Sequence, residues 1–260
     1  MKSRLDKQTV AARSAFGTTM ALAFLLLPLA CEAQQEKPKD TSSNHDLSGV
    51  WKMPSEAFGH YEQSFGTMDL PMTAWAKAKF DAARPSNGPK NVIIAELNDP
   101  FYACYPPGVP RIYLHPFAME IVQTPKEVIQ LFEYDHLVRH IYIDGRPHPD
   151  DPDPTWMGNA IGRWEGDTLV VDSIGFNDKS WIDRVGHPHS EKLHTIERFR
   201  RLNQSTIQMD LTLEDPVAYT KPIKKQFVFL HQPGWDILEH VCMDNAEFLE
   251  FNKKETQPAK

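Results

Sequence analysis

The sequence predicts a mainly β protein: an antiparallel up-and-down barrel, or a strongly curved sheet, with one N-terminal helix at about 73–84. Three observations predict it. From residue 117 onward, short apolar or alternating runs follow one another, each ended by a turn signal. Most joins between them are too short for crossover helices, so successive strands are expected to pair as hairpins. A meander of nine or ten such strands leaves exposed edges, and closing the sheet removes them. A β-sandwich is the second choice.

The elements follow in order. "LSGVWKM" opens the domain as a strand. "MTAWAKAKFDAARP" predicts the helix: Thr73 is a natural N-cap, Met72, Ala76, Phe80 and Ala83 form an apolar stripe, and Pro85 ends it. "FAMEIVQT" and "EVIQLFEY" flank a Pro-Lys turn, and "LVRHIYI" ends at "DGRP". "NAIGRW" and "DTLVVDSI" flank Glu165-Gly166, a hairpin turn. "LHTIERFRR" and "STIQMDLTL" flank Asn203-Gln204, and "KQFVFLH" and "WDILEHVC" flank Pro233-Gly234. In the eighth of these runs Ile207, Met209, Leu211 and Leu213 alternate with Thr206, Gln208, Asp210 and Thr212, so one face is apolar. Proline, 21 residues in all, gathers in loops such as "CYPPGVPR" and "GRPHPDDPDPTW".

The N-terminus reads differently. Lys2, Arg4, Lys7 and Arg13 precede the uncharged run "AFGTTMALAFLLLPLA", the pattern of an export signal over 1–30. A retained anchor helix is the alternative, although the run is short for a membrane span. Cys31 closes the run in "PLACEAQQ", which resembles the lipobox of bacterial lipoproteins, where the cysteine becomes the lipid anchor. Ala30 suits that pattern, while Pro28 stands where leucine is usual, and ordinary cleavage after Ala33 is the alternative. Residues 31–46 are polar and free of aromatics, as in a flexible tether. Residues 47–260 are expected to form a single barrel domain. The periplasm, with a tether to the outer membrane, is the expected location.

Cys104 and Cys242 remain. An exported chain lives where such a pair can be joined, so a disulfide is expected, with two separate buried thiols as the alternative. Removing residues 1–30 takes away four basic residues and Asp6, which moves the net charge from −7 to −10. That balance excludes nucleic acid as a partner and limits membrane contact to the N-terminal signal or lipid. The sequence does not set the oligomeric state.

"DPDPTWMG", "GRWEGDTLVVDSIGFND" and "GHPHSEKLHTIERF" resemble a family of exported bacterial proteins of unassigned function. "LSGVW", "CYPPGVPRI" and "EHVCMDN" fit it too. The resemblance runs from about residue 46 and implies no substrate. More loosely, "SGVW" and the repeated hairpins are similar to lipocalin-like (calycin-type) barrels, which include both carriers and enzymes, so the fold alone does not choose between them.

"GHPHSEKLHTIERF" carries the chemistry. His187, His189 and His194 have the character of metal ligands, for which zinc or iron would serve, with Asp172, Asp183, Glu191 or Glu197 completing a site. The second reading is acid–base catalysis without metal: His189 and His194 as base or acid, Asp172 and Glu197 orienting them, Arg163 holding an acidic substrate group. The third is an ordinary polar loop whose histidines cap strand ends. The run from Leu193 puts His194, Ile196 and Arg198 on one face and Thr195, Glu197 and Phe199 on the other. Tyr134, Trp156, Met157 and Trp164 are candidates to line a ligand cavity. No Gly-rich phosphate loop, Gly-x-Ser-x-Gly elbow or Ser-x-x-Lys motif occurs. Two functions follow: an exported enzyme, hydrolase or lyase, acting on a small organic molecule, carboxylate-bearing ones included, or a carrier or sensor of a small apolar ligand. In both, the partner is a small molecule.

Overall fold

The structure, a computed structural model, describes residues 45–54, 64–65 and 70–243. The chain divides into a unit of residues 1–40 and a unit of 41–260. The export signal, most of the tether and Cys31 lie outside the described residues. No described helix is long and apolar enough to cross a membrane.

Nine strands close into a barrel in chain order: β1 (Gly49–Lys52), β2 (Met119–Gln123), β3 (Glu127–Phe132), β4 (Val138–Tyr142), β5 (Asn159–Glu165), β6 (Thr168–Ile174), β7 (His194–Asn203), β8 (Thr206–Glu214) and β9 (Ile223–His231). Closure pairs β1 with β9, Trp51 opposite His231. The alternation predicted for β8 holds, with Ile207, Met209, Leu211 and Leu213 all buried. On β7 the inward face is Thr195, Glu197 and Phe199.

One pairing departs from the all-antiparallel expectation. β4 and β5 run parallel, joined only at Ile141–Ala160 and Tyr142–Ile161. Parity requires such a pair. Strands that alternate direction around a ring return to their starting direction only if their number is even, so nine strands need an odd number of parallel contacts. The proline-rich stretch 143–158 supplies it by carrying the chain back before β5 begins. "WDILEHVC" is not a strand. Trp235 and Leu238 are exposed, and the segment's one β-type pairing is an isolated bridge, His240 to Tyr134. With β9 already paired to β8 and β1, no edge is left for it.

The helix, α1 (Ala74–Ala82), starts as predicted, the Thr73 hydroxyl accepting from the Ala76 amide at 3.3 Å. Its buried residues are Ala76 and Phe80. Three 3₁₀ turns follow before β2, at Ile94–Glu96, Pro100–Ala103 and Arg111–Leu114. The last is buried throughout and drives Tyr113 into the barrel, where its ring lies within 5.9–6.3 Å of Phe132, Phe199, Phe227 and Phe229 from three different strands. Asp99 braces this excursion with two bonds from Arg111, at 2.7 and 2.8 Å. Cys104 and Cys242 form a disulfide that ties it to the segment after β9. The pairing joins residues 138 apart in sequence, a constraint of about 3–5 kcal/mol in the chain-entropy account.

Candidate active site

The three histidines of "GHPHSEKLH" take three unlike environments. The loop between β6 and β7 folds back on itself, Trp181 bridging to Pro188 and the Ile182 amide donating to the His187 carbonyl at 2.9 Å. His187 sits at this fold. Its Nδ1 meets Asp183 Oδ2 at 2.6 Å with both side chains fully buried, and its ring stacks on Phe80 of α1 at 4.5 Å. Asp183 also accepts from the amides of Phe65, Val185 and His187. His187 is thereby a latch between loop and helix. His189 lies one step further along, its Nε2 3.0 Å from the Ser180 hydroxyl and its Nδ1 3.3 Å from the Ser190 carbonyl. Burial pushes its proton affinity below the usual histidine range.

His194 opens β7 and points outward, at the rim. Its Nε2 is 3.0 Å from Asp172 Oδ1 and its Nδ1 3.4 Å from Glu214 Oε2. The register explains both contacts: Glu214 is its direct partner on β8, and Asp172 of β6 pairs with Ile196, two residues along β7 from His194, which makes it the diagonal neighbour. A second imidazole reaches the same carboxylate oxygen. His148, from the crossover, places Nε2 3.0 Å from Asp172 Oδ1 and Nδ1 2.8 Å from Asn159 Oδ1. All three groups are partly exposed, Asp172 at 31%.

Gly175 lets the crossover come this close. A side chain there would meet Pro152 at 2.9 Å, and its φ of +72° suits glycine. Backbone bonds then lace the two segments, Thr155 N–H to the Gly175 carbonyl at 3.0 Å and Asn177 N–H to the Thr155 carbonyl at 2.9 Å. Between them lies a cavity of about 340 Å³ walled by Asp150, Asp151, Phe176, Glu191, Lys192 and His194.

Glu197 is elsewhere. It faces the barrel interior, where both its oxygens take Arg139 Nη groups at 2.7 Å. The Tyr113 hydroxyl donates to Glu197 Oε2 at 2.9 Å and accepts from Arg139 at 2.7 Å, while Arg139 also donates to Ser173 at 2.8 Å. Burial raises the Tyr113 hydroxyl far above its usual range, so it stays protonated. Glu197 is therefore separated from His194 by the sheet itself and cannot orient it.

The other expected residues distribute as follows. Arg163 is on the outer face, its side chain 64% exposed, paired with Glu165 at 2.7 Å rather than facing a cavity. Tyr134 is buried among Phe101, His115 and Phe117. Trp164 stacks on His45 at 4.8 Å. Trp156 and Met157 line a groove of about 350 Å³ with Leu137, Val138 and Tyr142, beside the two-residue β4–β5 pairing. Among the described residues no three His, Cys, Asp or Glu side chains are disposed to hold a metal ion, so the set His187, His189 and His194 is not assembled. Each imidazole has been taken by a different partner. Of the expected pairs, the structure brings Asp172 and His194 together and adds His148, which sequence reasoning missed. Its flanking prolines mark a loop, and nothing local says where that loop returns.

Comparison with known protein families and with curated proteins finds no match to this chain.

Proposed function

We propose that the chain is an exported enzyme, hydrolase or lyase, performing acid–base chemistry on a small polar molecule bound between the β6/β7 rim and the crossover. The observation that carries this is the single carboxylate oxygen of Asp172 holding two imidazoles, one of which, His194, lines the cavity. When His194 donates Nε2–H to Asp172, its basic atom is Nδ1. A proton taken up there is stabilised by Asp172 on one side and Glu214 on the other. His148, held by the same oxygen and by Asn159, is the second proton carrier, so acid and base stand in one assembly.

The cavity bears Asp150, Asp151 and Glu191 against Lys192, a balance that favours a neutral hydroxyl-bearing or cationic substrate. The carboxylate-bearing alternative loses its anchor, because Arg163 faces away from this cavity toward Glu165. The basic start, the apolar run and Cys31 support export with a lipid tether to the outer membrane. A disulfide fits the oxidising periplasm.

The test is a panel of neutral and cationic esters, lactones, glycosides and amino alcohols, offered to wild type and to His194→Gln and Asp172→Asn. Turnover is expected from wild type and should drop at least ~100-fold in each variant, with melting temperature retained. Equal turnover by all three removes the reading. Binding without turnover would favour the second reading, a carrier of a small apolar ligand. The groove at the β4/β5 seam with Trp156, Met157 and Val138 supports that reading.

A further inference from the structure

We propose that Ser180 is an activated nucleophile with His189 as its general base, forming an acyl-transfer site for small esters in a pocket separate from the rim.

The loop after β6 builds it. Pairing Trp181 with Pro188 and Ile182 with His187 makes Ser180 and His189 the next cross-loop neighbours. Their polar atoms meet at 3.0 Å. The other ring nitrogen determines the direction of that bond. With Nδ1–H given to the Ser190 carbonyl, Nε2 carries the lone pair and the Ser180 hydroxyl donates to it. Ser190 is itself pinned, its amide and hydroxyl both donating to Asp215, at 2.6 and 2.8 Å. Nucleophile, base and orienting group thus stand in the relation that nucleophilic catalysis requires, with a backbone carbonyl in the third place. Desolvation keeps His189 unprotonated at neutral pH, as a base must be.

The pair opens on a pocket of about 240 Å³ that matches a short acyl chain. Ala82, Ala83 and Pro100 give it apolar wall, and its charged lining is Lys79 and Lys179 against Asp178, a net positive balance that suits a developing oxyanion. Gly108 keeps the flank of the hydroxyl clear: a side chain there would sit 3.3 Å from Ser180 Oγ and 2.6 Å from the Trp156 carbonyl oxygen. The chain has no Gly-x-Ser-x-Gly elbow, so this serine is positioned by the folded-back loop alone.

The step balances without a cofactor. Ser180 Oγ bonds to the ester carbonyl carbon as its proton passes to His189 Nε2, and the carbonyl electron pair moves onto oxygen. Collapse breaks the bond to the alkoxy group, which leaves as the alcohol with the proton from His189. Water repeats the sequence on the acyl-serine, releasing the acid and restoring the hydroxyl.

The experiment incubates the purified protein with diisopropyl fluorophosphate and locates the adduct by peptide mass. p-Nitrophenyl acetate hydrolysis is followed in parallel. One adduct is expected, on Ser180, absent in Ser180→Ala and formed at least ~100-fold more slowly in His189→Gln. The labelling rate should hold level from neutral pH to below 6.5, the ordinary histidine value, because the base protonates only beneath it. Absence of an adduct on Ser180 in natively folded wild-type protein overturns the proposal, as does labelling of His189→Gln at the wild-type rate. The first of these needs no variant to fold.

Discussion

Asp172 and Glu197 sit on neighbouring strands one register step apart, for Val171 is opposite Glu197 and Asp172 opposite Ile196. One faces out and the other in, and that single step changes what each carboxylate can do. Glu197 is sealed with Arg139, Tyr113 and Ser173, every one of them buried. In that dry space the guanidinium and the carboxylate satisfy each other, and removing either would leave the other as an unpaired buried charge. Asp172, on the rim, shares one oxygen between two imidazoles that water and a solute can reach. The inner cluster organises the barrel around the Tyr113 plug, whereas the outer one lies where solvent reaches it.

Removing one partner inside should have the largest effect. Arg139→Ala leaves Glu197 buried and unpaired and is expected to cost about 3–5 kcal/mol in urea unfolding. Arg139→Met with Glu197→Leu should recover most of that, since it removes both charges together. A single variant that unfolds like wild type would mean the interior is wet, and the contrast with the rim would fail. A middle effect is expected from acid. Desolvation, reinforced at His115 by Arg111, holds the buried His115 and His189 below the ordinary histidine range. The unfolded chain therefore binds more protons than the folded one as pH drops. Stability should be full above about pH 6.5 and decline below it, by up to ~1.4 kcal/mol per pH unit for each histidine. A flat unfolding free energy between pH 7 and 5 would show these rings to be solvated. The smallest effect belongs to the rim. His148→Gln should alter stability by no more than ~1 kcal/mol, as partly exposed pairs do, while sharply reducing any turnover at the Asp172 site.

Much of this was legible in the residues. The faces of β7 and β8 follow from alternation, and the Thr73 cap and Phe80 stripe place α1. Arg139 also left a signal: it shares parity with Ile141 against the exposed Val138 and His140, a charge on an inward position. Tyr113 left none, since a proline-rich stretch has no period from which a direction can be read. The parallel β4–β5 pair was available in principle, because nine closed strands demand it, but only after the count was settled and "WDILEHVC" discarded. His148 could be found only once that crossover was known to return past β6.

By itself the sequence determined the local elements and which of their side chains face the core, because those depend on periods of two and 3.6 residues and on caps and turns close at hand. Only the tertiary structure decided which carboxylate each histidine meets, where Tyr113 goes and which strands run parallel. Those outcomes depend on how long irregular segments, the 143–158 crossover and the 175–193 loop above all, come back to the barrel, and that is settled by packing between residues far apart in the chain.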